Sequence, residues 1–191
     1  FLHFDHREIG DEPLAHMIEN RHFRLALDDR ARTLPQLNLI APARVVSCSA
    51  GANRVTATLG DGRQVDADVC IVAEGRESPL RDAAGIRTQG WSYHQTGIVA
   101  TIEHERPHHG VAQELFLPSG PFAILPMTGN RSSIVWSERS DLAPAFLRLS
   151  EDQFMAEVSQ RFGDQWGALK LAGPRWSYPR SEEHTSELQS Q

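Results

Sequence analysis

Between Ala73 and Asp82 the chain reads AEGRESPLRD, which sets three carboxylates, a glycine, a hydroxyl and two guanidinium groups close together. Glu74, Gly75, Ser78 and Arg81 are the positions to be placed, and Arg76 and Arg81 are the two side chains in the stretch that suit an anion. Ser78 is a good helix N-cap, Pro79 suits the first helical position, and Gly85 suits the position just past the last turn. A helix opening at Pro79 would point backbone amides and the positive end of its dipole at a phosphate or carboxylate, with Arg76 and Arg81 beside it. The same residues also describe a purely structural turn between two packed elements, and local physics leaves both readings open.

Other reactive side chains carry weaker signals. His3, His6, His94, His104, His108 and His109 come without HExxH or paired-carboxylate spacing, so they are read as loop and strand histidines and no metal site is expected. No G-x-S-x-G elbow supports a hydrolase triad. Asp28-Asp29 and Glu151-Asp152 are ordinary solvated helix positions. Cys48 and Cys70 sit in apolar contexts at a spacing that suggests neither a metal site nor a redox pair, and are expected as buried, reduced thiols, with a disulfide between them as the alternative.

These side chains must be positioned by elements that the apolar pattern outlines. Phe1–Ile9 alternates like a strand, Leu14–Glu19 like a second extended piece, and from Asn20 the spacing of Phe23, Leu27, Ala31 and Leu34 predicts a helix that Pro35 ends. Short strands are expected at 37–40, 43–47, 55–59 and 64–67, with Gly60-Asp61-Gly62 as a hairpin turn. They form a small meander beside a parallel sheet whose buried strand is Val69–Val72. After a boundary near 87–96 the style changes. Strand signals at 97–103, 111–117, 122–126 and 132–137 recur at hairpin-like intervals, giving a mostly antiparallel sheet. Helical tendency from Asp141 is interrupted at Pro144. Ser150 and Gln153 form a capping-box pair that opens a helix with Phe154, Val158 and Phe162 on one face and Gly163 at its end. A last extended piece spans 168–171. The expected class is α/β (α+β), with domains at 1–90 and 91–179.

Composition bounds the partners. A net charge of −6 argues against nucleic acid, and 40% hydrophobic with 23% charged residues is ordinary for a globular protein. No apolar run approaches a membrane span and no signal pattern is visible. Arg180–Ser190, RSEEHTSELQS, is similar to the translation of a sequencing-library adapter, so residues 180–191 are expected to be a disordered tail and the rest an internal piece of a longer protein. Without that tail 18 basic and 22 acidic residues remain.

The pattern A-(D/E)-G-x-x-S-x-x-R after an apolar run resembles the second flavin fingerprint of the FAD-dependent aromatic hydroxylases, the para-hydroxybenzoate hydroxylase superfamily. Glu74 stands where that family usually has Asp. Within the superfamily, three stretches resemble the ubiquinone-biosynthesis hydroxylases: HFDHREIGDEPLAHMIENRHFRLAL at 3–27, VAEGRESPLRDAAGI at 72–86 and FAILPMTGNRSSIVWSER at 122–139. The resemblance implies a fragment of a Rossmann-like FAD-binding domain followed by a substrate-domain sheet with a covering helix. It implies FAD contacts from Asn20, Arg24, Glu74, Gly75, Ser78 and Arg81, and a substrate pocket lined or supported by Leu125, Pro126 and Trp136. On residue chemistry alone Asn20 is a helix N-cap and Trp136 a core residue of a sheet face, so those readings stay open.

The implied reaction is reduction of FAD by NAD(P)H, then hydroxylation of a polyprenylated phenol through a flavin hydroperoxide, with the protein positioning the ring and excluding water. No side chain is assigned as catalytic acid or base. A lipid substrate implies a cytoplasmic protein in peripheral contact with the inner membrane, alongside other ubiquinone-biosynthesis proteins. A flavin halogenase, a prenyl reductase and a non-catalytic ligand-binding domain remain alternatives. Neither a GxGxxG strand-turn-helix nor a C-terminal Gly-Asp segment occurs in the chain, so little FAD binding is expected of it alone.

Overall fold

The chain folds as two compact units, one made of Ala26–Trp91 with residues 182–185 and the other of residues 2–25 with Ser92–Ser181. The computed structural model describes residues 2–185; Phe1 of the expected first strand and residues 186–191 of the adapter-like tract lie outside the described residues.

Local hydrogen bonding overrides the alternation at the N-terminal end. Asp5 caps a 3-10 turn at His6–Glu8, its carboxylate accepting from the Arg7 backbone N–H at 3.0 Å and from the Arg7 guanidinium. Those bonds hold the Asp5 carboxyl far below the usual carboxylate range. Residues 2–9 are therefore not the strand expected, and 14–19 likewise form no regular element. Helix α1 (Asn20–Arg32) follows the predicted spacing and stops short of Pro35. The Glu19 carbonyl accepts from the amides of His22 and Phe23 at 2.9 and 3.1 Å. Asn20 is thus the first helical residue and the cap position falls to Glu19.

In the unit Ala26–Trp91, β1 (Val45–Ala50), β2 (Val55–Leu59) and β3 (Gln64–Ala67) make an antiparallel meander. The expected strand at 37–40 is absent. The apolar run at 69–72 is neither strand nor buried, with Val69 73% and Ile71 84% exposed. An apolar run becomes a strand where a neighbour offers it a ladder, and among the described residues none does; no parallel sheet accompanies the meander. Helix α2 (Pro79–Ala83) follows.

In the second unit, β4 (Thr88–His104), β5 (Gln113–Leu117), β6 (Gly120–Met127), β7 (Arg131–Arg139) and β8 (Leu169–Leu171) line up as β5-β6-β7-β4-β8, and β9 (Trp176–Thr185) pairs with β4. The pairs β5–β6, β6–β7, β7–β4 and β4–β8 are antiparallel, as the sequence pattern predicts. β9 runs on through Thr185, so the start of the adapter-like tract continues a strand where a disordered tail was expected. Pro144 opens α3 (Ala143–Arg148) instead of interrupting a helix. Ser150 and Gln153 close the expected capping box on α4 (Glu151–Phe162): Ser150 Oγ accepts from the Gln153 amide at 3.3 Å, and Gln153 Oε1 from the Ser150 amide at 3.1 Å.

Period-two alternation decides which face of this sheet is covered. Ile98, Ala100 and Ile102 of β4, Phe122 and Ile124 of β6, and Ile134 and Trp136 of β7 are buried with Phe154, Val158 and Phe162 of α4. Trp136 is the centre of an aromatic cluster, its ring 4.5 Å from Phe146 and 6.1 Å from Phe154, with the Arg161 guanidinium 4.1 Å above it. The indole N–H is buried without an acceptor, so ring packing and the Arg161 guanidinium hold this side chain. Truncating Trp136 to Ala should therefore cost about 3–5 kcal/mol, read as a lower urea midpoint followed by far-UV circular dichroism.

Candidate functional site

The turn before α2 is built by its own side chains. Gly75 adopts φ +87°, a left-handed conformation that a side chain would strain, and turns the chain back so that Glu74 faces the helix start. Ser78 is extended and buried, as an N-cap should be. Its Oγ accepts from the Arg81 amide at 3.2 Å and donates to Glu74 Oε2 at 2.7 Å. Glu74 Oε2 also accepts from the Leu80 amide at 3.2 Å, while the Asp82 amide donates to the Ser78 carbonyl at 3.1 Å. Pro79 has no N–H. The donors at the start of α2 are thus satisfied from within the segment, and the Glu74 carboxylate takes the place that an external anion was expected to occupy. At its far end Gly85, at φ +76°, donates to the Asp82 carbonyl at 3.0 Å.

What this turn turns outward is side-chain charge. Arg76, Glu77, Ser78, Pro79, Arg81 and Asp82 line an open depression of about 350 Å³. Arg81 Nη1 donates to the Arg76 carbonyl at 2.8 Å, and its Nε and Nη2 reach Asp82 Oδ1 at 3.2 and 3.0 Å. These bonds fix the guanidinium plane against the helix. The lining carries two guanidinium groups, Arg76 and Arg81, and two carboxylates, Glu77 and Asp82.

The proposed site residues fall into separate places. Glu74, Gly75, Ser78 and Arg81 come together in one turn of the unit Ala26–Trp91, whereas Asn20 and Arg24 lie on the first two turns of α1, in the part of the chain grouped with the large sheet. Leu125 pairs with Ser133, and Trp136 pairs with Phe122 and Ile98. Alternation then puts Leu125 and Trp136 on opposite faces of the sheet, so they do not line one pocket together. Trp136 belongs to the helix-covered core and can support a site only through the backbone of β7; Pro126 is half-buried near the end of β6.

The open face carries a depression that the sequence did not reveal. Gly97, Val99, Pro121, Ala123, Val135 and Ser137 floor a space of about 240 Å³, with Glu114, Tyr178 and Arg180 at its edge. Arg180 Nη1 donates to Ser137 Oγ at 2.7 Å. Small residues alternate here with the large core residues, and only the strand register shows that they share a surface.

The histidines serve the fold. In buried His104, Nδ1 lies 2.7 Å from the Arg106 carbonyl, which can only accept, so Nδ1 bears the proton and Nε2 accepts from Ser132 Oγ at 3.0 Å. His108 Nε2 donates to the carbonyls of Met127 and Gly129 at 2.8 and 2.9 Å. Among the described residues, no three His, Cys, Asp or Glu side chains gather into a metal-holding group, and no helix is long and apolar enough to cross a membrane. The cysteines depart from expectation: Cys70 is exposed, Cys48 half-buried, and their sulfurs are 3.7 Å apart.

No protein-family model matches the chain. It is 49% identical over 178 residues to ubiquinone hydroxylase UbiL of Rhodospirillum rubrum, covering 93% of this chain and 41% of that protein. Over 106 residues it is 40% identical to the mitochondrial ubiquinone biosynthesis monooxygenase COQ6 of Rattus norvegicus, covering 55% of this chain and 22% of that protein. The chain thus spans less than half the length of these relatives. Among solved structures, the flavin-dependent halogenase CmlS superposes with a TM-score of 0.66 at 16% identity, over 86% of this chain and 32% of that one. At that identity the likeness is one of fold.

The role of Glu74 as an internal cap is directly measurable. In Glu74→Ala the Leu80 and Arg81 amides should exchange with solvent about 5–30-fold faster, the equivalent of about 1–2 kcal/mol at the start of α2. Glu74→Gln, which keeps an acceptor oxygen, should lose less.

Proposed function

The chain is a relative of the ubiquinone-biosynthesis hydroxylases within the FAD-dependent aromatic hydroxylase superfamily, and from that we propose that it is part of an FAD-dependent monooxygenase that hydroxylates a polyprenylated phenol. The observation that carries the proposal is the 49% identity to a ubiquinone hydroxylase, continuous over 178 residues that include both the AEGRESPLRD turn and the large sheet.

In this reading Arg76 and Arg81 hold the negative end of FAD at the depression beside α2. Glu74 and Ser78 keep that turn rigid, and Gly75 leaves open space where a side chain would project. The resemblance to the flavin hydroxylases makes Asn20 and Arg24 of α1 further candidate FAD contacts. Bound FAD, reduced by NAD(P)H, supplies the oxygen-activating chemistry that no side chain of the chain offers. The open face of the sheet, with Val99, Ala123 and Val135 at its floor and Leu125 on the same side, receives the ring. Its small apolar residues leave room for a flat aromatic group. A cytoplasmic protein touching the inner membrane peripherally, and meeting other proteins of ubiquinone synthesis there, follows from a lipid substrate. The halogenase reading draws on a likeness of fold alone and does not compete with the sequence identity.

The test is a chimera in which residues 1–179 replace the matching stretch of the Rhodospirillum rubrum hydroxylase. It should retain flavin, consume NAD(P)H at least about tenfold faster when a polyprenyl phenol is added, and yield a product one oxygen heavier. Arg81→Ala in that chimera should weaken FAD retention by about tenfold, the loss of one charge-assisted contact. A flavin-loaded chimera that oxidises NAD(P)H without making hydroxylated product would sink the hydroxylase reading.

A further inference from the structure

Cys48 and Cys70 stand 22 residues apart in sequence, yet their sulfurs are in contact at 3.7 Å. Cys48 is fixed on β1, opposite Ala57 of β2. Cys70 lies beyond the end of β3 in a stretch that belongs to no helix or strand, between the exposed Val69 and Ile71. We propose that this pair is a redox modification site at which hydrogen peroxide closes an intramolecular disulfide, fastening residues 69–72 to β1. The proposal stands on the unit Ala26–Trp91 alone and is independent of which reaction the whole protein catalyses.

Three observations carry it. The sulfurs need to approach by less than 2 Å to reach a disulfide bond length of about 2.05 Å, and a segment outside any ladder can supply that movement without breaking sheet pairing. Cys70 is exposed, so an oxidant reaches it. Two thiols fall short of the four ligands that a structural zinc requires, and among the described residues no third metal-binding group joins them.

The two sulfurs have different parts in the reaction. Burial pushes the Cys48 thiol up, and the neighbouring Cys70 and the Glu74 carboxylate add to that, which makes Cys48 the slower first nucleophile. The Cys70 thiolate attacks hydrogen peroxide, the O–O bond breaks, and sulfenic acid and hydroxide result. Cys48 then attacks the sulfenic sulfur and expels the oxygen as water once its thiol proton is transferred. The sum is two thiols and one peroxide giving one disulfide and two waters, and a dithiol reductant reverses it. The bond would sit four residues ahead of Glu74, so it restrains the approach to the AEGRESPLRD turn.

The full chain, reduced and freed of reductant, is exposed to hydrogen peroxide and followed by thiol titration and intact mass. Both thiols should disappear together, with a mass loss of about 2 Da, no covalent dimer and full recovery in dithiothreitol. Cys48→Ser should stop at a sulfenic acid on Cys70 that dimedone traps, and Cys70→Ser should be inert at the same peroxide dose. Thiols that persist, that each gain oxygen independently, or that bridge between chains would overturn the proposal. A second measurement uses the unsubstituted chain only: in a glutathione redox buffer the effective concentration of the pair should be at least about tenfold higher in the native state than in concentrated urea. Equal values would overturn it as well.

Discussion

Everything in the larger unit depends on one constraint: a strand turns successive side chains to opposite faces, so a large residue committed to one face leaves its neighbours on the other. Along β4, β6 and β7 the large residues Ile98, Ile102, Phe122, Ile124, Ile134 and Trp136 share one face, and α4 seals it with Phe154, Val158 and Phe162. The residues between them are small. The concave, sparsely filled surface on the other side is thus a direct result of how the core is built. Gly120 shows how tight the surroundings are: a Cβ there would come within 2.8 Å of the Ser137 side chain, and its φ of +135° is one that side chains resist.

The turn before α2 obeys a different economy, one of donors and acceptors. A short helix cannot leave its first amides unpaired, and this one draws on Glu74 and Ser78 to pair them. A carboxylate serves that purpose because it brings charge as well as lone pairs to the positive end of the helix. It follows that the turn can hold its shape in the absence of any ligand. Arg81, tied to Asp82 and to the Arg76 carbonyl, is likewise held by the segment itself.

Much of this was legible in the sequence, and the exceptions share a cause. The Ser78 cap, the Ser150–Gln153 box and the hairpins of β4 to β7 are specified by residues a few positions apart, and local chemistry decided them. The run at 69–72 and the alternation at 2–9 needed partners from elsewhere to become strands, and within the described residues they find none. Leu125 and Trp136 looked like neighbours because both flank one hairpin; only the register, Leu125 with Ser133 and Trp136 with Phe122, separates them. The sulfur contact was hidden for the same reason. Cys48 and Cys70 lie on either side of two hairpin turns, and no spacing rule anticipates where a meander brings the chain back.

The edge of the depression gives the open face of the sheet a further property. Tyr178 of β9 borders the space above Val99, Ala123 and Val135. A molecule settling there has to share that space with β9 or displace it. Where displacement is required, the dissociation constant observed is the intrinsic one divided by the fraction of chains in which the floor is uncovered. Tyr178 of β9 would then act as a tethered competitor, always present at the same local concentration however dilute the protein.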